Sequence, residues 1–243
     1  MTGHSDAKAT LSWEELPALF PGLSGAGRWL PLLERQAALI AGAGPRVRVS
    51  SVPVAEAVRR HYAESLELLR IIRLESSGDT LADVGSGGGF PGLVIAAAEP
   101  GLSVHLVEPL QKRARLLQDM AAALGLRNVT VHAQRAEEAG RGSLRDAVSI
   151  VTARAVASLP ELIEYTAPLA AAGGLLALPK GTGVAAELAA ANAALAALDL
   201  ARHAVVAMRA EVSGTHAVVL LWKMGATPAG FPRRAGVPRR RPL

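Results

Sequence analysis

One stretch constrains this chain more than any other: Asp83-Val84-Gly85-Ser86-Gly87-Gly88-Gly89-Phe90-Pro91-Gly92. An apolar run, Leu81 to Val84, leads into it, and an alanine-rich run, Leu93 to Ala98, leads out. The pattern reads as strand, glycine turn and helix. Glycines at 85, 87 and 89 permit positive φ and bring bare backbone against a ligand. The helix that follows presents unpaired N–H groups at its start. The next apolar run, Val104-His105-Leu106-Val107, ends on Glu108. A carboxylate about 20 residues past a glycine loop, at the tip of the second strand, is placed to accept the two hydroxyls of a ribose. A turn that only packed strand against helix would have no use for that acid.

The glycine spacing narrows the ligand. A dinucleotide fingerprint G-x-G-x-x-G beginning at Gly85 requires glycine at position 90, where Phe90 stands. The spacing is instead acid-x-Gly-x-Gly-x-Gly, with Asp83 ahead of the first glycine. That pattern is similar to the one in S-adenosylmethionine (SAM) methyltransferases of the Rossmann-like class. Such a site has no pyrophosphate to cradle, and an acid beside the loop suits an amino-bearing, cationic ligand.

At 243 residues, half of them hydrophobic, the chain can bury the core of one large domain with an N-terminal addition. Cysteine is absent. That excludes disulfides, thiolate metal sites and any catalytic thiolate, including the one needed for covalent pyrimidine-C5 methylation. The start shows no basic segment followed by an apolar one, and Glu187, Asn192 and Asp199 interrupt the most apolar region. A cytoplasmic, metal-free, monomeric protein without membrane contact is therefore expected. The net charge of +5 and pI near 10.2 favour a polyanionic partner.

Ahead of the glycine loop the chain reads as a helical cap, residues 1–74. Residues 1–10 read as a disordered lead. Ser12 and Glu15 form a capping box for a short helix that Pro17 and Pro21 interrupt. A second helix is expected from about Arg28 or Leu30 to Ala41 and an extended piece from Arg46 to Val52. A third helix is expected from Ser51 and Pro53 to about Arg73, with Val54, Val58, Tyr62, Leu66 and Leu69 as its buried stripe. His61 lies on a flanking face, where it serves either packing or the site.

From 75 to 224 the chain alternates. Strands are predicted at 80–84, 103–107, 129–133, 148–152 and 174–179, and helices at 91–98, 111–124, 158–171 and 183–198. Two further strands, 203–212 and 215–223, follow without a helix between them. The result is an α/β fold of the Rossmann-like class I SAM-dependent methyltransferase type. Its seven-stranded, mostly parallel sheet has an antiparallel last strand.

In such a sheet, ligands sit at the carboxyl ends of the parallel strands. After strand three comes Gln134-Arg135-Ala136-Glu137-Glu138, where an acid can accept an adenine amine or simply open a solvated helix. After strand four comes Arg154, too costly to bury without an acidic group, a cofactor carboxylate or a phosphate beside it. Lys180 ends strand five. Residues 225–243 carry five arginines and no acid, with prolines at 228, 232, 238 and 242 that exclude a helix. This tail reads as an arm along a phosphate backbone or as a solubilising extension.

Five blocks then carry a resemblance: Arg60-His61-Tyr62-Ala63-Glu64-Ser65-Leu66, the glycine loop through Phe90-Pro91-Gly92, Lys112-Arg113, Arg135-Ala136-Glu137 and Arg154-Ala155. Together they resemble the bacterial small-subunit ribosomal RNA methyltransferase G family, also called glucose-inhibited division protein B. Its members methylate N7 of a guanosine in a decoding-region loop of 16S rRNA. The resemblance spans roughly residues 50–243, and Phe-Pro-Gly after the glycine loop is its most specific element. It implies SAM as cofactor, bound by Gly85, Phe90, Ala136, Glu137 and Arg154, to which the reading of the glycine loop adds Asp83, Gly87, Gly89 and Glu108. It implies 16S rRNA or the small ribosomal subunit as partner. His61, Lys112, Arg113, Arg135, Lys180, Arg233, Arg234, Arg239, Arg240 and Arg241 would face the RNA. No catalytic base is expected, because N7 has a free lone pair and no proton to lose. Glu108-Pro109-Leu110 departs from the Asp-Ser-Leu of many members, and Pro179 precedes Lys180 where an aliphatic residue is commoner. A small-molecule methyltransferase of the same fold is the alternative.

Overall fold

Cap helices lead, then strands and helices alternate. The computed structural model describes residues 10–43, 52–154 and 156–243, without the side chains of Arg202 and His203. The expected lead up to residue 9, the extended piece up to residue 51, the helix start at Ser51 and Ala155 lie outside the described residues. The cap contains α1 (Leu16–Leu19), α2 (Ala26–Gly42) and α3 (Val54–Ala57). A π-helical segment, Val58–Ala63, continues α3 and passes into α4 (Glu64–Glu75). Such a segment widens a helix locally and is frequent at functional sites. Here it carries His61.

β1 (Thr80–Val84), α5 (Gly92–Ala98), β2 (Ser103–Val107), α6 (Gln111–Ala123), β3 (Val129–His132), α7 (Ala136–Ala139), β4 (Val148–Ala153), α8 (Leu159–Thr166) and β5 (Ala170–Lys180) follow. Then come α9 (Val184–Ala190), α10 (Asn192–Ala197), β6 (Arg202–Ala207), β7 (Ala217–Trp222) and α11 (Val237–Arg240). The sheet runs β3-β2-β1-β4-β5-β7-β6. β1 to β5 pair in parallel, and β7 runs antiparallel to both β5 and β6. Glycine loop and switch point therefore coincide at the carboxyl end of β1, between β2 and β4.

Alternation along the strands divides the core. Leu81, Leu106, Ile150, Leu175, Ala177 and Leu220 face the cap helices and α5. Ala82, Val84, Val151, Leu176, Leu178 and Leu221 face α7 to α10. Strands buried on both faces read as continuous apolar runs, as these do. Trp29, Leu33, Tyr62, Leu66 and Leu69 join the first cluster, so cap and sheet share one core.

Several expectations change. Val54 is 91% exposed, since the buried face begins only at Val58. The fourth crossover helix ends at Thr166, not 171, because Ala170 already pairs with Val148. Ala191 splits the predicted helix 183–198 into α9 and α10. The hairpin strands are shorter than 203–212 and 215–223. The tail forms one helical turn, α11, with Pro238 in its first turn, where the missing N–H costs nothing.

Candidate functional site

The glycine loop adopts the conformation its composition requires. Gly85, Gly87 and Gly89 have φ of 75°, 55° and 89°. A Cβ on Gly85 would lie 2.7 Å from Val156 Cγ2 as well as being strained, so both backbone and space demand glycine. Glu108 crosses from β2 to fix the loop. One carboxylate oxygen accepts the Gly87 N–H at 3.0 Å and the other the Leu110 N–H at 2.9 Å. Each oxygen keeps a lone pair, so a ribose diol can still bind.

Asp83 is fully buried, and one of its oxygens accepts the Gly92 N–H at 2.9 Å. The other oxygen has no partner, nor has the hydroxyl of buried Thr152, its register neighbour on β4. Burial is the main cause that pushes the Asp83 pKa up to about 7.

Phe90 joins the loop to the cap. His61 stacks on its ring, with centroids 4.3 Å apart and planes 14° apart, and Tyr62 meets it edge-on at 5.1 Å. Arg154 arrives from the end of β4, its guanidinium carbon 5.6 Å from the Phe90 centroid. It donates to the Arg60 carbonyl at 2.7 Å and to His61 Nδ1 at 3.0 Å. A guanidinium can only donate, so Nδ1 accepts and the His61 proton sits on Nε2. Burial first, then the charges of Arg154 and Arg60, hold the His61 pKa down to about 4. Burial also lowers the Arg154 pKa, while Glu64 and Asp83 oppose that. Gln36 of α2 is fully buried and donates to the Gly88 carbonyl at 3.1 Å, a second link between cap and loop.

Of these groups, His61, Gly85, Gly87, Phe90 and Arg154 line a cavity of about 580 Å³, together with Glu64 and Arg113 among others. On its rim, Lys180 pairs with Glu187 at 2.6 Å and donates to the Ala157 carbonyl at 2.9 Å. His216 Nδ1 lies 2.9 Å from a Glu64 oxygen, and the other Glu64 oxygen lies 3.7 Å from Arg154. The donor set fits SAM: an acid for the ribose, open glycine backbone and a cation for the amino-acid carboxylate.

A profile of the rRNA small subunit methyltransferase G family matches residues 32–216. The chain belongs to this family. It is 43% identical over 179 residues to ribosomal RNA small subunit methyltransferase G of Sorangium cellulosum, covering 74% of this chain and 73% of that protein. The protein of the same name from a Roseiflexus species is 36% identical, with coverage of 91% and 95%. Among solved structures, a SAM-dependent methyltransferase from Aquifex aeolicus is similar in fold. It has a TM-score of 0.51 at 15% identity and covers 76% of this chain and 97% of that one.

Methyltransferase G membership makes SAM the cofactor, and the fold brings Asp83, the three glycines, Phe90, Glu108, Arg154 and His61 together. Ala136 and Glu137 follow β3 and open α7, a short helix not among the predicted ones. The Glu137 carboxylate, however, accepts the Gly236 N–H from the tail at 2.9 Å. Arg135, Lys112, Arg234, Arg239, Arg240 and Arg241 are exposed. Arg233 is not placed for a phosphate. It turns inward onto Glu164, with Nη2 2.5 Å from one oxygen and Nε 2.8 Å from the other. Lys180 is likewise held by Glu187. Gln36, Glu64, Glu164, Glu187 and His216 escaped the sequence reading. Only Glu64 carried a signal, one turn from His61 within a quoted block. Among the described residues, no helix is long and apolar enough to cross a membrane.

Proposed function

We propose that this chain transfers the methyl group of SAM to N7 of a guanosine in a decoding-region loop of 16S rRNA. The observation that carries this reading is the Phe90 clamp: cap, cofactor loop and Arg154 meet on one ring that lines the cavity. SAM supplies an electrophilic methyl on a sulfonium. The protein aligns acceptor and donor and excludes water, an effect worth about 7–11 kcal/mol of barrier. Glu108 takes the ribose, the Ala136-Glu137 turn takes the adenine, and Arg154 takes the carboxylate. The guanine, unstacked from its loop, enters over Phe90 and is read along its edge. The exposed cations Lys112, Arg135, Arg234, Arg239, Arg240 and Arg241 hold phosphates around it.

The His216–Glu64 pair favours one competitor, a hydroxyl-bearing small molecule whose proton this pair would remove. Two measurements separate the readings. Labelled methyl from SAM is offered to unmodified small-subunit particles and to deproteinised rRNA, and the product is cleaved under conditions specific for N7-methylguanosine. One cleavage in a decoding-region loop supports N7. Absence of label on either, with SAM binding intact, refutes it. His216→Gln should leave the rate on RNA within about threefold, whereas loss of a general base costs about 100-fold or more.

A further inference from the structure

The basic C-terminal arm is anchored to the body from Thr227 to Gly236. Lys223, fully buried, bonds Asp146 and the Thr227 hydroxyl. Arg145 donates to the Phe231 carbonyl at 2.7 Å, and Arg141 to the Pro232 carbonyl at 2.6 Å. Glu164 of α8, with no exposed surface, receives the Arg233 guanidinium at both oxygens and its backbone N–H at 2.9 Å. Three residues on, the Gly236 N–H bonds Glu137, which is 3% exposed. Two buried carboxylates, one of them in the turn assigned to adenine, thus take arm groups as partners. A buried carboxylate that loses its partner must rotate, take up a proton or draw in water.

We infer that residues 233–236 are positioning residues of the cofactor site. The Arg233–Glu164 pair seats the arm, and the Gly236 N–H orients Glu137 so that the start of α7 keeps the shape that distinguishes adenine. This rests on the assignment of Ala136-Glu137 to adenine. The arm thereby has two faces. Its inner face completes the cofactor site, and its outer face carries Arg234, Arg239, Arg240 and Arg241.

The test removes residues 233–243 in a Glu164→Met background, so that Glu137 is the one buried carboxylate that loses its arm partner. Affinities for SAM, for S-adenosylhomocysteine and for its hypoxanthine analogue are measured by calorimetry without RNA, alongside the unfolding midpoint. Expected are a SAM affinity about tenfold weaker and a collapse of the adenine-over-hypoxanthine preference toward one. A merely structural role would lower the midpoint and leave that preference unchanged. A folded variant that keeps both SAM affinity and preference overturns the inference. If the shortened chain does not fold, full-length Glu164→Met/Arg233→Met is judged by the same two readouts. An intact protein that shows no preference between the two bases overturns the adenine assignment itself, independently of the arm.

Discussion

Phe90 holds more of the site than a loop residue ordinarily does, because His61, Tyr62 and Arg154 all converge on its ring. Phe90→Ala should cost about 3–5 kcal/mol in urea unfolding, as expected for a buried ring. Phe90→Leu should recover most of that stability yet still weaken SAM binding, since only a ring orients His61 and Arg154. Equal SAM affinity in the Leu variant and the parent would contradict this. The same cluster holds two opposed titrations. Asp83 is raised from 3.8 to about 7, so its share of stability is full below pH 3.8 and is lost as pH rises through 7. His61 is lowered from 6.5 to about 4, so its share is full above pH 6.5 and is lost as pH falls through 4. Between about 4 and 6.5 the two slopes oppose each other and largely cancel. Asp83→Asn should therefore make apo-protein stability rise with pH across that window, and His61→Gln should make it fall. Melting temperatures at half-unit pH steps would show both, and parallel curves for the two variants would refute the pairing.

At the scale of elements, what the sequence showed was whatever is local. The glycine loop, Glu108 and the alternation of strands and helices along the chain followed from apolar runs and turn chemistry, and β1 and β2 fall where predicted. Boundaries failed where alanine, a strong helix former, stands in a strand. The predicted helix runs on through the alanines to 171, yet Ala170 belongs to β5, where it pairs with Val148 of β4. Partners distant in the chain stayed hidden. No periodicity links Arg154 to His61 or Arg233 to Glu164. The functional reading of Lys180 and Arg233 rested on charge alone, and charge does not say that a buried acid waits nearby. Lys223 is the strongest such case. It ends the run after β7 and has no exposed surface, yet it bonds Asp146, the Ala170 carbonyl and Thr227. It ties β5, β7 and the root of the arm into one unit. Lys223→Met should cost about 3–5 kcal/mol, because it leaves Asp146 and two further acceptors without their shared donor. An unfolding midpoint within error of the parent would mean that the network contributes nothing.

Over the whole molecule the positive charge divides into two populations with different work. Arg70, Arg73, Arg154, Lys180, Arg209, Arg233 and Lys223 are paired with acids of the fold. The exposed population is Lys112 on α6 and Arg135 before α7, which follow the carboxyl ends of β2 and β3, with Arg234, Arg239, Arg240 and Arg241 on the arm. A polyanion bound there releases counterions in proportion to the phosphates neutralised, so its affinity must fall with salt. Reversing one exposed charge should weaken binding to small-subunit particles and lower the salt slope by about one, without touching SAM affinity. Lys112→Glu and Arg240→Glu are the two substitutions to compare, by filter binding at several salt concentrations and calorimetry with SAM. The paired population behaves oppositely. Arg233→Glu sets two carboxylates against each other at a buried site, so it should lower the unfolding midpoint before it alters any salt slope. If Lys112→Glu and Arg240→Glu both left the slope unchanged, the exposed arginines would serve solubility, and RNA recognition would have to rest on the cap and the cavity alone.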